Sequence, residues 1–303
     1  MGPHVNDVPL AAARKGGFMR IIQFSDTHIS HLGGVGYGNA ERLVEYLNEV
    51  AAPDLAINTG DVVILDPDAA DDRDAAMRIH ERIQVPLRVL PGNHDVGECA
   101  PDPWRGLGVT SQRVQGFRSA WGSDRFVLFG DAAHDAQEWA FVGISSELCG
   151  SGLPEEDEQW AWLAEVAAEA AGRSVMLFLH KPLVIDDGTR ENVTLTAAAR
   201  ERVLGAFRGC DLQVIANGHV HRYRCAASDD VMAVWAPSLA FATAAEPELK
   251  FGPGTAGIVE YLIRGPRVDA RFVKVPGIEG AADFFELPEA QQSLAALERR
   301  GAV

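Results

Sequence analysis

The sequence predicts an α/β fold built on two sheets, and three observations support this prediction. Short apolar runs bounded by Gly, Pro, Asn or Asp recur along the chain, as is typical of buried strands. Segments with helical spacing of apolar residues alternate with these runs as far as His221. After His221, strand-like segments follow one another with few helices between them, which indicates a second sheet packed on the first.

The predicted elements are these, in chain order. Early strands are predicted at 19–24, 55–57, 87–90, 175–179 and 212–216, and helices at 39–50, 71–83, 155–170 and 196–207. Later strands are predicted at 223–227, 231–235, 257–263 and 268–273. Residues 281–300 are predicted to form a terminal helix. Its apolar residues either pack on the core or cover a neighbouring subunit of a homo-oligomer, and ordinary packing is preferred.

Each of the early strands is followed at once by a short polar motif. In chain order the motifs are Asp26-x-His28, Gly60-Asp61, Gly92-Asn93-His94-Asp95, Leu179-His180 and Gly218-His219-x-His221. Ligand sites in open α/β sheets lie beyond the carboxyl ends of the strands, so we expect these motifs to converge. Residues two apart in extended backbone project to the same side, so the Asp-x-His and His-x-His pairs are each predicted to face one pocket.

The side chains of these motifs are typical ligands of a metal centre. Imidazole suits Zn, Fe, Cu and Ni, whereas carboxylate and amide oxygens suit harder ions, so the mixture favours Mn, Fe or Zn over Ca or Mg. The donors are numerous enough for two adjacent ions. A carboxylate can link two cations, which makes Asp61 the candidate bridge. Two adjacent ions indicate hydrolysis at phosphorus.

In their order and spacing, the motifs resemble the calcineurin-like metallophosphoesterase superfamily, whose pattern is D-x-H, G-D, G-N-H-[DE], a lone His and G-H-x-H. The resemblance spans about residues 21–221 and implies a two-sheet β-sandwich flanked by helices, a four-layer αββα fold. It also implies the ligands of two ions: Asp26, His28 and His221 for one, Asn93, His180 and His219 for the other, with Asp61 bridging them. His94 resembles the family's non-ligand histidine, which contacts the phosphate and protonates the leaving oxygen. Asp95 is expected to support the imidazoles from behind as a hydrogen-bond acceptor.

Within the superfamily, Ser25-Asp-Thr-His28, Trp160-x-Trp-Leu163 and Asn217-Gly-His-Val-His221 are similar to the cyclic-nucleotide and glycerophosphodiester phosphodiesterase branch, called class III. That branch usually reads His-His-Pro-Pro where this chain has Leu179-His180-Lys181-Pro182-Leu183. Lys181 either changes the charge near the substrate or is a solvated residue at a strand end.

The resemblance implies metal-dependent hydrolysis of a small phosphodiester by a hydroxide that bridges the two ions. No Ser or Cys nucleophile is needed in such a reaction. A phosphomonoesterase on the same dinuclear site is the alternative, and a non-catalytic binding protein on this fold is a more distant one.

Composition narrows the partners and the location. The chain has 303 residues, with 27 Lys and Arg against 43 Asp and Glu and a net charge of −16, which argues against a nucleic-acid polymer as substrate. The four cysteines show no paired spacing, residues 1–17 lack a signal-peptide core, and no apolar run could span a bilayer. We therefore expect a cytoplasmic protein with no membrane partner.

The expected organisation is a flexible tail at 1–18, a catalytic domain at 19–275 and a C-terminal helical extension at 276–303.

The segment 97–123 follows the Asn93-His94 motif and carries aromatic residues and arginines, among them Trp104, Arg105 and Trp121. One interpretation is a loop beside the metals that stacks a base or contacts a phosphate. The other is a surface helix at 111–121 with its apolar face buried.

Overall fold

A computed structural model describes residues 17–100, 102–183, 194–228, 230–241, 255–280 and 283–300. The strands are β1 (Met19–Phe24), β2 (Leu55–Asn58), β3 (Leu87–Val89), β4 (Phe126–Phe129), β5 (Trp139–Gly143), β6 (Ser174–Leu179), β7 (Asp211–Asn217), β8 (Arg224–Ser228), β9 (Val231–Trp235), β10 (Ile258–Arg264) and β11 (Arg267–Val273). The α-helices are α1 (Val35–Glu45), α2 (Ala70–His80), α3 (Asn93–Val96), α4 (Ser111–Trp121), α5 (Pro154–Glu169), α6 (Ala197–Ala206) and α7 (Pro288–Arg299).

The strands form two mixed sheets. The first has the order β11-β10-β1-β2-β3, and the second has the order β4-β5-β6-β7-β9-β8. In the first sheet β1, β2 and β3 run parallel, and β10 pairs antiparallel with β1. In the second, β5, β6, β7 and β9 run parallel. Strands from both sheets therefore direct their carboxyl ends to one edge, where the polar motifs lie.

Successive side chains of the strands alternate between the core that separates the two sheets and the helices outside them, so the fold has four layers. In β1, Met19 and Ile21 pack against the second sheet, whereas Ile22 and Phe24 pack with α1, α2 and α4 on the opposite face. In β6, Met176 contributes to the core between the sheets, and its neighbours pack against α5 and α6. Successive side chains of a strand point to opposite faces, so each sheet is buried on both sides. The fold is an αββα sandwich, as the sequence predicts.

The predicted strands appear within one or two residues of their expected bounds, but the sheet membership differs from expectation. The strands after His221 do not form the second sheet by themselves. β8 and β9 extend the sheet that contains β6 and β7, whereas β10 and β11 join β1 in the first sheet. β4 and β5, which the sequence analysis did not predict, complete the second sheet. Periodicity identifies a strand but carries no information about its partner.

Two other segments also differ from their predictions. The first helix is predicted to begin at residue 39, but α1 begins four residues earlier, at Val35, inside the Gly-rich stretch. There the backbone N–H of Val35 donates to the Glu289 carboxylate at 3.0 Å. A π-helical turn at Tyr46–Ala51 follows it. The predicted terminal helix is α7, preceded by a short 3₁₀ helix at Phe284–Glu286, and residues 281–282 lie outside the described residues.

Within the segment 97–123, the structure shows the helix of the second interpretation, preceded by an irregular stretch with a short 3₁₀ turn. Residues 111–121 form α4, which buries Val114, Phe117 and Trp121 against the first sheet. Trp104 lies on a short 3₁₀ turn and remains 43% exposed.

Among the described residues, no helix has the length and apolar character needed to cross a bilayer.

Candidate metal centre

The motifs converge at the shared edge of the two sheets. Asp26 and His28 follow β1, Asp61 follows β2, and Asn93 begins α3 just after β3, all in the first sheet. The second sheet contributes His180 after β6, with His219 and His221 after β7. Hydrogen bonds tie the sheets together here: Leu239 N–H donates to the Ser25 carbonyl at 3.1 Å, and Gln23 Nε2 donates to the Asn217 carbonyl at 3.2 Å.

One group of donor atoms comprises Asp26, His28, Asp61 and His221, whose ligand atoms all lie within 4.8 Å of one another. The four residues are buried. His221 Nε2 lies 3.1 Å from Asp26 Oδ1 and 3.1 Å from His28 Nε2. Two ring nitrogens at that separation cannot both direct a proton at each other, so at least one of them presents a lone pair here.

A second group comprises Asp61, His180 and His219, again within 4.8 Å. His180 Nε2 lies 3.3 Å from Asp61 Oδ2 and 3.2 Å from His219 Nδ1. Asn93 Oδ1 also lies 3.2 Å from His180 Nε2, which places the predicted amide donor at the same point. Asp61 is the residue that the two groups share.

The spacing of these atoms fits two metal ions. Donors about 2.0–2.1 Å from an ion of the size of Zn²⁺ lie roughly 3.0–3.4 Å from each other in tetrahedral or octahedral geometry. The distances around His221 and His180 are 3.1–3.3 Å. A single proton on His180 Nε2 could not form hydrogen bonds to Asp61, Asn93 and His219 at the same time. The Asp and His side chains are therefore positioned for binding metal ions.

The backbone is left-handed at five of the seven candidate ligands. Asp26 and His28 have φ of 54° and 46°, Asp61 has 52°, and His219 and His221 have 69° and 58°. Our expectation of extended backbone within the Asp-x-His and His-x-His pairs is therefore wrong, although the pairs do reach one site. Such conformations cost about 1–3 kcal/mol each in non-Gly residues and persist where the surroundings enforce them.

Close approach of the backbone requires Gly beside two of the ligands. A Cβ on Gly60, which has φ of 107°, would lie 2.6 Å from the Gly92 nitrogen and 2.8 Å from His180 Nδ1. A Cβ on Gly218 would lie 2.7 Å from Asp26 Oδ2. These contacts are shorter than atoms tolerate, so the glycines let the loops from both sheets meet.

Backbone carbonyls orient three of the imidazoles, which the sequence analysis missed. His28 Nδ1 donates to the Ile64 carbonyl at 3.2 Å, and His94 Nδ1 donates to the same carbonyl at 2.7 Å. His180 Nδ1 donates to the Thr59 carbonyl at 2.9 Å. A carbonyl can only accept, so each Nδ1 carries hydrogen and each Nε2 is directed to the centre. No sequence signal marks a carbonyl for this role.

Asp95 supports the centre through the backbone. Its carboxylate accepts the N–H groups of Val62, Val63 and Gly92 at 2.8–3.1 Å. We expected imidazole partners for Asp95, but these hydrogen bonds instead join the Asp61 loop to the Asn93 loop. Burial, with a contribution from nearby Asp61, raises the pKa of Asp95 to about 6.

The candidate ligands differ in the direction in which their surroundings shift the pKa. Burial, together with the neighbouring His94 and His221, lowers the pKa of His28 to about 3, so this imidazole is neutral. Burial alone would raise the pKa of Asp26, but His221 outweighs it and lowers the value to about 2. Burial alone would lower the pKa of His180, but the Asp61 carboxylate outweighs it and raises the value to about 10. Without metal, a protonated His180 therefore offsets the negative charge of the Asp61 carboxylate.

A cavity of about 280 Å³ opens onto the ligand atoms. Beyond the ligands, its described lining consists of His94, Glu98, Trp104, Phe241, Phe284 and Phe285. Phe241 packs on His28 and His221 at centroid distances of 4.7 and 4.6 Å. Phe241 and the Phe284-Phe285 pair follow the last motif without a recognisable pattern, so the sequence does not predict them at this cavity.

Lys181 lies behind this cavity and is not a solvated residue, since its side chain is only 2% exposed. Its Nζ lies 3.2 Å from Glu147 Oε2 and 3.4 Å from Glu98 Oε1. Burial alone would lower the pKa of Lys181, but the two carboxylates, Glu147 foremost, raise it. Lys181 therefore remains cationic and is neutralised by its partners.

The chain is similar to several known proteins. It is 25% identical over 222 residues to a probable glycerophosphodiester phosphodiesterase, GpdQ, of Arcobacter nitrofigilis, a match that covers 67% of this chain and 72% of the relative. Among solved structures it resembles GAP50, described as the anchor in the inner membrane complex of Plasmodium, with a TM-score of 0.61, 13% identity, and coverage of 92% of this chain and 95% of that one. A dimetal phosphatase from Danio rerio gives a TM-score of 0.58 and 14% identity, with coverage of 84% and 95%.

At such identities the structural likenesses establish the fold alone. The family is established by the sequence. Residues 19–223 match the model of the calcineurin-like phosphoesterase family, and this range contains every motif described above. This protein is therefore a member of the calcineurin-like phosphoesterase family.

Proposed function

We propose that the protein hydrolyses small phosphodiesters, of the glycerophosphodiester or cyclic-nucleotide type, at a centre of two Mn, Fe or Zn ions. The observation that carries the proposal is the position of Asp61, which belongs to both groups of donor atoms. Asp26, His28 and His221 would complete one ion site. Asn93, His180 and His219 would complete the other.

When bound, two such ions lower the pKa of water and offset the charge of the phosphate. The chain contributes orientation and proton transfer. The Ile64 carbonyl fixes the His94 ring so that Nε2 points to the centre, 3.9 Å from Asp61 Oδ2. In the reaction, an oxygen from water would bond to phosphorus, and the bond between phosphorus and the departing alcohol oxygen would break. His94 would deliver a proton from Nε2 to that oxygen.

The charge of the cavity supports a diester over a monoester. A monoester carries an additional negative charge, which favours added cationic donors. Among the described residues that line the cavity there is no Lys or Arg, and Glu98 adds a carboxylate. Lys181 supplies no free charge, because Glu98 and Glu147 pair with it. The relative named as a probable glycerophosphodiester phosphodiesterase supports the same preference.

We further propose that residues 19–275 form the catalytic unit and that the segment 276–303 completes its cavity wall through Phe284 and Phe285. The four free cysteines support a reducing, cytoplasmic setting.

The test is turnover of bis(p-nitrophenyl) phosphate against p-nitrophenyl phosphate, by protein stripped of metal and reconstituted with Mn²⁺. Turnover that favours the diester, and that is lost in Asp61→Ala, would support the proposal. A screen of glycerophosphodiesters and cyclic nucleotides would then follow. Preference for the monoester would replace the proposal with a phosphomonoesterase. No turnover of either substrate by protein that holds two metal equivalents would contradict hydrolysis of simple phosphoesters.

A further inference from the structure

The cavity wall beyond the metal ligands is aromatic and extends from the buried floor to solvent. Phe241, 3% exposed, contacts Phe284 at a centroid distance of 5.3 Å. Phe284 contacts Phe285 at 5.4 Å, and Phe285 is 56% exposed. Trp104, 43% exposed, lines the same cavity from a separate segment. An organic arm that leaves the phosphate site would therefore pass along ring faces and edges.

Glu98 adds a fixed negative charge to this aromatic wall. Its Oε2 accepts the backbone N–H of Trp104 at 3.0 Å, and its Oε1 lies 3.4 Å from Lys181 Nζ. Because Lys181 also pairs with buried Glu147, one cation serves two carboxylates, and the cluster keeps a net negative charge. Glu98 is the member of the cluster that reaches the cavity.

Aromatic rings beside a carboxylate form a recognised environment for a quaternary ammonium group. The ring faces attract the cation through their quadrupole, and methyl groups on nitrogen gain apolar contact. A neutral arm would gain the contact but not the electrostatic attraction. An anionic arm would be repelled by Glu98. Arg105 does not line the cavity, and its guanidinium lies 5.0 Å from the centroid of the Trp104 ring, so the arm would meet the part of this ring that faces the cavity.

We propose that Glu98, Trp104, Phe284 and Phe285 form a specificity subsite for a phosphodiester arm that ends in a trimethylammonium group. This inference rests on the proposed phosphodiesterase function and names its substrate class. The reaction itself is unchanged: water supplies the new oxygen on phosphorus, and one ester oxygen leaves as an alcohol with a proton.

The test compares two substrates that differ in one atom. p-Nitrophenyl phosphorylcholine carries the trimethylammonium arm, and p-nitrophenyl 3,3-dimethylbutyl phosphate carries the same shape with carbon in place of the charged nitrogen. With Mn²⁺-reconstituted protein, kcat/KM should favour the trimethylammonium substrate about 3- to 30-fold. The substrate with the neutral dimethylbutyl arm serves as the internal reference for folding and metal content.

Variants locate the effect. Glu98→Gln keeps an acceptor for the Trp104 N–H and leaves Glu147 for Lys181, and it should bring the preference close to one. Trp104→Leu should reduce it as well. Glu286→Gln is the matched control, because it removes an exposed charge from the same 3₁₀ helix as Phe284 without touching the cavity lining.

Three outcomes would count against the subsite, and they are distinguishable. Equal kcat/KM for the two substrates would overturn it while leaving the phosphodiesterase proposal intact. A preference that survives in Glu98→Gln and Trp104→Leu would place the recognition of charge elsewhere. Failure of metal-loaded protein to hydrolyse either substrate, together with bis(p-nitrophenyl) phosphate, would overturn the proposed function itself.

Discussion

Asp61 holds the backbone of His94 with one carboxylate oxygen and faces its ring with the other. Oδ1 accepts the backbone N–H of His94 at 2.9 Å, whereas Oδ2 lies 3.9 Å from His94 Nε2. The shared candidate ligand thus also sets the position of the candidate acid. Since Nδ1 of His94 is held by the Ile64 carbonyl, Nε2 is the atom available to a substrate.

Replacing His94 by Ala should lower kcat by about 10²–10⁴-fold without loss of metal. If His94 protonates the leaving oxygen, the loss will be large for a diester with an alkoxide leaving group and small for one that releases p-nitrophenolate, which needs no proton. Steady-state kinetics with both substrates and metal analysis check this. An equal loss with both would assign His94 to phosphate binding, and full turnover would remove it from the mechanism.

Replacing Asp61 by Ala should reduce the metal content from about two ions per chain and lower kcat by more than about 10³-fold, because both groups lose a donor. Chelation of the unmodified protein should lower its melting temperature, since ions that bind the folded state stabilise it. Asp74→Ala, an exposed change on α2, is the control. Metal analysis and thermal unfolding provide the measurements. Undiminished metal content in Asp61→Ala would contradict a bridging role.

Replacing Lys181 by Met should destabilise the fold by about 3 kcal/mol, because buried Glu147 and partly buried Glu98 would lose their cation. Adding Glu147→Gln to Lys181→Met should recover part of this loss. Urea unfolding of the three proteins measures the effect. A Lys181→Met variant as stable as the unmodified chain would contradict a stabilising role for the cluster.

His80 should make stability fall in mild acid. Its Nδ1 donates to the Ala76 carbonyl at 2.8 Å, and its Nε2 accepts from Asn58 Nδ2 at 3.0 Å. Burial lowers its pKa to about 4 from an ordinary value of 6.5. The neutral form is the one that folds, so its stabilisation is complete above pH 6.5 and is lost as the pH falls toward 4. The loss reaches about 3 kcal/mol.

Unfolding free energies of the unmodified protein and of His80→Gln between pH 7.5 and 4 test this. The gap between them should narrow as the pH falls, because the variant lacks the titrating group while the remaining carboxylates cancel in the difference. A gap that stays constant would mean that His80 keeps an ordinary pKa in the folded protein.

Local sequence patterns determined most of the elements of this protein. β1 and β9 begin and end where the alternation of apolar residues predicts, and α4 begins after Thr110, whose side chain accepts the N–H of Arg113. Apolar period, turn residues and caps act over a few residues, so the sequence carries them directly. The order of the polar motifs likewise allowed the family to be identified.

Only the tertiary structure decided which strands share a sheet, how the ligands are held, and what lines the cavity. β10 lies beside β1 although more than two hundred residues separate them, and its pairing follows from burial of both faces rather than from local pattern. The left-handed backbone at Asp26 and His221 differs from the extended backbone that the local pattern predicts. Glu98, Phe241 and Phe284 meet only because distant segments pack together. Local preferences are set by adjacent atoms, whereas a site depends on contacts that exist only after the chain has folded.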